Sequence, residues 1–273
     1  MKVRSLLEIL DCAHLTKFVR SPFTSRGGIL LIGPPETLRS TLIENALQDY
    51  PDALVLSDIN VKQLIEMRED MSAGKITTLA FSELAKLYAR NPAVAKNIEG
   101  HIMALVEEGL SLASFQDKRM ASIKAHVLVI AACTEKFYGR RYTEWSDSGF
   151  ARRFLHCIYK LENPWLLADA QEMRARIELD CIKRKIPGNR EIKWNVEPGE
   201  MKTIRRRLKF QFRKGISTPF NLAANIFCVL KWKFDAKEAM EIFLDFSESL
   251  QDNCAEMHLP NVNGIYKDGE ILQ

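Results

Sequence analysis

The chain has 273 residues, of which 47% are hydrophobic and 27% charged, and a net charge of +4. This length and mixture suit one large domain, or a large domain with a small companion, and exclude a collagenous or low-complexity polypeptide. Strand-length apolar runs, charges inside the N-terminal apolar stretch and six cysteines without a C-x-x-C pair argue against a membrane span, a secretory leader, a disulfide framework and a zinc site, and for a cytoplasmic protein.

Leu6, Leu7, Ile9, Leu10 and Leu15 recur at helical spacing, which predicts a first helix from Ser5 to Val19, closed by Ser21-Pro22. Ile29 to Ile32 then form an apolar strand that enters the Gly33-Pro34-Pro35 turn and a further helix. Ala53–Leu56 is a second strand, with a helix begun by Asn60. A third strand runs from Thr77 to Phe81, and the helix after it is broken at Asn91-Pro92 and stops at Gly109. HVLVIAACT, His126 to Thr134, is the fourth strand, and Phe154 to Leu161 the fifth. Strands alternating with helices imply an α/β fold with a five-stranded parallel sheet covered on both faces.

Beyond Pro164 the apolar patterns are helical, with starts at Asn163-Pro164, Pro198, Ser217 and Asp235. The expected organisation is a helix and α/β domain over 1–163, a small α-helical lid over 164–250 and a polar tail over 251–273.

The segment GPPETLRST, Gly33 to Thr41, carries the chemistry. Strand, glycine turn and helix place backbone N–H groups and a helix N-terminus where an anion is held, and Ser40 and Thr41 fall at the spacing of the phosphate loop G-x-x-x-x-G-K-[ST]. The predicted binding residues are Gly33, Pro34, Pro35, Glu36, Thr37, Leu38, Arg39, Ser40 and Thr41. Leu38 stands in place of the second glycine, Arg39 in place of the lysine, and Glu36 inside the loop must point outward. A leucine at 38 is expected to be tolerated in a helical backbone.

Together, five strands with this loop after the first and helices after the last resemble the AAA+ branch of the P-loop NTPases, over about residues 20 to 250. The resemblance implies ATP and Mg2+ as cofactors, with Ser40 as a magnesium ligand. In TTLAFSE, Glu83 matches the residue that polarises the attacking water, and Ser82 replaces the acid on the metal side; Asp58 is a substitute for that acid. Thr134, or its neighbour Glu135, matches the polar residue that reaches the γ-phosphate. Arg152 and Arg153, in SGFARRF, match arginines that act on a neighbouring subunit's site, so a homo-oligomeric ring or arc, or a partner AAA+ subunit, is implied. The arginine expected at the start of a late lid helix is replaced by Phe220 and Asn221. These features support an ATPase or nucleotide switch, or else a degenerate structural subunit that binds nucleotide without efficient turnover.

From Met201 to Phe234 there is no acidic residue. Lys202, Arg205, Arg206, Lys209 and Arg213 lie away from the apolar stripe of Met201, Ile204, Leu208 and Phe212, so they form a candidate DNA-binding ladder, as the phosphate backbone attracts clustered cations. The alternative is a solvated face paired with acids elsewhere. Lys118, Arg119 and Lys124 before the fourth strand add to the basic inventory. Phe210, Phe220, Phe227, Trp232 and Phe234 fit a helical core better than base-stacking platforms.

Overall fold

In a computed structural model, residues 3–23, 27–35, 38–107, 109, 125–159, 185–188, 191–208 and 217–256 are described. The first helix, α1 (Val3–Leu15), is shorter than its pattern predicts. A 3₁₀ turn over Thr16–Phe18 leads into β1 (Val19–Arg20), which pairs in parallel with β7 (Ile192–Lys193) far along the chain. That long-range pairing claims the residues which the local pattern assigns to the helix end.

The remaining strands are β2 (Gly28–Gly33), β3 (Ala53–Leu56), β4 (Thr78–Phe81), β5 (Leu128–Thr134) and β6 (Phe154–Ile158). They form one parallel sheet in the order β3-β4-β5-β2-β6. The chain is therefore α/β, as the alternating pattern predicts. β5 starts at Leu128 and not His126, because Leu128 is the partner of Thr78, where β4 begins. β6 ends at Ile158, short of the expected Leu161, the last residue with a partner on β2.

Central β2 and β4 are buried along their whole length, so they read as continuous apolar runs and not as alternation. Close packing leaves no room at Gly28, where a Cβ would stand 2.4 Å from the Phe154 ring. Between the strands lie α2 (Arg39–Leu47), α3 (Val61–Glu66), α4 (Arg68–Ser72), α5 (Ala85–Tyr88), α6 (Pro92–Val106) and α7 (Glu135–Ser148). Local chemistry sets their starts. Asn60 and Gln63 form a reciprocal capping box on α3, Asn91 caps α6 ahead of Pro92, and Thr134 caps α7.

The crossover from β2 to β3 runs in one direction along the sheet, and the three later crossovers run in the other. Right-handed connections therefore put α2 on one face and the helices after β3, β4 and β5 on the opposite face. The packing agrees, since α2 lies on α1 while α3 lies on α6. β2 and β5 are thus neighbours whose following helices lie on opposite faces, and open α/β sheets take ligands beyond the carboxyl ends of strands at such a switch point.

Among the described residues three helices follow β7: α8 (Pro198–Leu208), α9 (Ser217–Lys233) and α10 (Ala236–Glu256). α9 and α10 pack on α1 and on β6, and the apolar core runs unbroken from Leu6 through the sheet to Phe243. Phe220, Phe227 and Phe234 are buried in it, as their spacing predicts; Phe210 lies outside the described residues. The expected first helix after Pro164 also lies outside them; of the expected tail over 251–273, residues 251–256 instead continue α10 and the rest lie outside the described residues. Among the described residues no helix is long and apolar enough to cross a membrane.

Candidate functional site

Gly33, at the end of β2, is the register partner of Thr134 at the end of β5. β4 lies on the far side of β5 and delivers Ser82 and Glu83 to the same edge. The strand order thus gathers the turn after β2, Glu83 and Thr134 at one edge of the sheet.

Leu38 begins α2 with φ 57° and ψ 28°, the left-handed region, and gives the helix no side-chain cap. The expectation of a helical backbone at this position is therefore wrong. The turn needs a positive φ here, which glycine adopts freely and leucine adopts at a cost of roughly 1–2 kcal/mol. Leu38 is the only non-glycine residue with positive φ among those described, and its side chain packs against the core. Leu38 has no side-chain acceptor, so it leaves the first N–H groups of α2 uncapped at the positive end of the helix dipole.

Arg39 turns back into the loop. Its Nη1 donates to the Gly33 carbonyl at 2.8 Å and also to the Pro34 carbonyl, while Nη2 donates to Glu83 Oε2 at 3.3 Å. The Arg39 side chain is only 10% exposed and that of Glu83 27%. Ser40 is exposed on the first turn of α2, and Thr41 beside it is half-buried. Pro34 and Pro35 line the turn; Glu36 and Thr37 lie outside the described residues.

Three buried polar atoms at this edge have no hydrogen-bond partner among the described residues: Arg39 Nε, Glu83 Oε1 and Glu135 Oε1. Buried donors and acceptors are nearly always satisfied, so a cluster of orphans at such an edge marks a place for water or ligand. Glu135 stands in the first turn of α7, next to Thr134, whose hydroxyl accepts from the Phe137 N–H at 3.1 Å. The Ser82 hydroxyl lies 3.5 Å from the Leu56 carbonyl. Asp58 is engaged by Arg90, which binds its Oδ2. Burial pushes the Cys133 thiol at the end of β5 well up, so it carries no thiolate chemistry.

The structure separates the two arginines before β6. Arg153 is 12% exposed; its Nη1 donates to the Gly149 carbonyl at 2.8 Å and its Nε lies 2.6 Å from Glu107 Oε2. Arg152 is exposed and makes no hydrogen bond or ion pair among the described residues. On α8, Lys202, Arg205 and Arg206 are exposed, with the Arg205 guanidinium 5.0 Å above the Phe220 ring. Arg207 pairs with Glu248, Lys231 with Glu200, and Lys233 is buried, so part of the cationic excess is used inside the fold. Lys209 and Arg213 lie outside the described residues, as do Lys118, Arg119 and Lys124.

A polyphosphate fits this edge chemically. Helix amides that Leu38 does not cap and the Arg39 Nε–H, without an acceptor among the described residues, are donors, and the guanidinium binds phosphate as a planar fork. A magnesium ion has fewer partners. Ser40 offers one hydroxyl, Ser82 carries no charge, and the Glu83 carboxylate faces Arg39. Hard divalent cations take oxygen ligands and commonly share substrate phosphates, so an ion here would depend on the nucleotide for most of its shell.

Sequence reasoning missed a buried polar network on α1. Glu8, Asp11 and His14 repeat every three residues through LLEILDCAHL and are all fully or almost fully buried. Lys233 Nζ binds both Glu8 and Asp11, and Asp11 accepts from the Tyr50 hydroxyl at 2.6 Å. The Tyr50 ring stacks on His14 at 4.1 Å. His14 in turn meets Thr78, Lys17 and Asp52. Glu8, Asp11 and Cys12 lie close enough to hold a cation, and the Lys233 ammonium is the cation bound to these carboxylates. The signal was available, because acids inside an apolar stripe need partners when buried.

No protein-family model, curated protein or solved structure matches this chain.

Proposed function

We propose that the chain is an AAA+-type ATP-binding protein, an oligomeric ATPase or nucleotide switch that acts on DNA. The observation that carries the reading is the set of orphaned buried atoms on Arg39, Glu83 and Glu135 beside an uncapped helix N-terminus, at the carboxyl edge of a parallel sheet. The strand order supports it, because it brings the loop after the first strand of the sheet together with the ends of the third and fourth.

In this reading the α2 amides and Arg39 bind the phosphates, with the Ser40 hydroxyl placed for Mg2+. That ion, when bound, neutralises phosphate charge. Glu83 accepts a proton from water as the water oxygen bonds to the γ-phosphorus and the bond to the β-phosphate oxygen breaks, giving ADP and inorganic phosphate. Thr134, spent as a helix cap, and Glu135 line the γ-phosphate side. Arg152, exposed and unpaired within the described chain, is the residue available to a neighbouring subunit, whereas Arg153 is held at home by Glu107. Exposed Lys202, Arg205 and Arg206 supply a surface for DNA phosphates.

A second reading, a structural subunit that holds nucleotide without turnover, is favoured by one specific contact: Glu83, the proposed base, is paired with Arg39. Phosphate release by the full chain, with Glu83→Gln beside it, separates the two. Turnover in the parent that vanishes in the variant supports the ATPase; binding with equal, negligible turnover in both selects the structural subunit; no binding removes the nucleotide reading. A salt titration of DNA binding, comparing the parent with the triple alanine variant at Lys202, Arg205 and Arg206, tests the partner. The slope should flatten by about one per lost phosphate contact, and an unchanged slope would remove DNA from this face.

A further inference from the structure

Among the described residues the Arg39 guanidinium makes three contacts, to two loop carbonyls and to the Glu83 carboxylate. Among the described residues Nε has no acceptor and Glu83 Oε1 no donor, although both atoms are buried. The pair is thus only partly satisfied. Each partner keeps one unspent hydrogen-bonding position at the same edge. An incoming polyanion offers Arg39 more charge than a single carboxylate does, in the forked geometry that guanidinium prefers.

From this we infer that the Arg39–Glu83 pair is a gate, in which a polyphosphate displaces Glu83 from Arg39 and thereby frees the base only when substrate is present. The inference rests on the reading of this edge as a nucleotide site and adds its regulation. Its physical content is a competition. Glu83 and phosphate contend for one guanidinium, so the ion pair weakens binding in the parent, and breaking the pair is coupled to readiness for hydrolysis. A lysine has three donors on a single nitrogen, whereas Arg39 spreads its contacts over two, with Nη1 on the loop carbonyls and Nη2 on the carboxylate. The substitution at this position therefore gives the loop its own closing strap.

The test is a double-mutant cycle on affinity for a fluorescent, non-hydrolysable ATP analogue with magnesium, using the full chain with Glu83→Gln, Arg39→Gln and both together. Non-hydrolysable ligand removes turnover from the comparison. Glu83→Gln is expected to tighten binding about two- to fivefold, as for a partly exposed ion pair, and Arg39→Gln to weaken it. The gate further requires that the gain from Glu83→Gln disappear in the Arg39→Gln background. A gain of equal size with or without Arg39 would mean simple repulsion between Glu83 and phosphate and would overturn the gate while leaving the nucleotide site intact. Unchanged affinity in Glu83→Gln overturns it too. If neither parent nor variants bind the analogue, the site itself fails and the gate with it. Arg39→Met serves as the truncation should Arg39→Gln fold poorly, with circular dichroism as the control.

Discussion

Lys233, in the last turn of α9, places Nζ 2.7 Å from Asp11 Oδ2 on α1, and both side chains are fully buried. Burial works to lower the Lys233 pKa, but the neighbouring Cys12, Asp11 and Glu8 outweigh it and hold the ammonium above its usual range. This contact pins the first helix to a helix more than 200 residues later. It costs desolvation on both sides, so its absence should hurt more than its presence helps.

Lys233→Met is expected to lower unfolding stability by about 3–5 kcal/mol, because Glu8 and Asp11 would remain as uncompensated buried charges. Urea denaturation measures this. Adding Glu8→Gln and Asp11→Asn to Lys233→Met should recover a substantial part of the loss; a triple variant as unstable as the single would locate the damage in packing and not in charge.

His156 on β6 lies against the Tyr138 hydroxyl at Nδ1 and the Ala151 carbonyl at Nε2, at 3.1 and 3.0 Å. Donation from Nε2 to the carbonyl leaves Nδ1 to accept from the tyrosine, so the ring is neutral. Burial pushes its pKa down to about 4, against 6.5 for a free histidine, with the Ala151 carbonyl opposing. The unfolded chain takes up the proton first as pH falls. Stability from this group is therefore complete above about 6.5 and is lost as pH drops toward 4, by roughly 3 kcal/mol at most. A His156→Phe variant should show a flatter stability profile between pH 7 and 4 in urea titrations; an unchanged profile would contradict the assignment.

Leu38 combines left-handed backbone with apolar packing. Leu38→Gly should stay within about 1 kcal/mol of the parent, since relief of strain offsets lost contact. Leu38→Val keeps an apolar side chain but cannot take this backbone comfortably, and should cost about 1–3 kcal/mol. Thermal unfolding of the two variants gives the order; valine more stable than glycine would show that packing governs the turn.

Arg152 and Arg153 differ by one position and by almost everything physical. Arg153→Ala should destabilise by about 1–2 kcal/mol through its contacts with Glu107 and Gly149. Arg152→Ala should change stability by less than about 0.5 kcal/mol. If subunits assemble as proposed, Arg152→Ala should instead lower phosphate release in mixed assemblies. Measurement of both properties on both variants checks the division, and a large stability loss at Arg152 would reverse it.

The features legible in the chain are those that depend on neighbours in sequence. Asn60, Asn91 and Pro198 mark helix starts that the structure contains, because caps and N1 prolines act within a single turn. The five apolar runs became the five strands of one parallel sheet for a similar reason, as crossovers of that length leave few alternatives. Val19 and Leu38 were misread, the first because its partner Ile192 is remote, the second because a backbone angle is imposed by the loop as a whole.

The sequence alone determined the α/β alternation, the glycine and proline turn after β2 and the cationic excess after Met201, since each is a matter of residue order and type. Only the tertiary structure decided that Arg39 faces Glu83, that Arg153 is tied and Arg152 is not, and that Lys233 closes onto Glu8 and Asp11. Those outcomes depend on which side chains the sheet order and the helix faces bring within a few ångströms. Charge pairing falls off with distance and solvent exposure, and neither quantity is written in the order of residues along the chain.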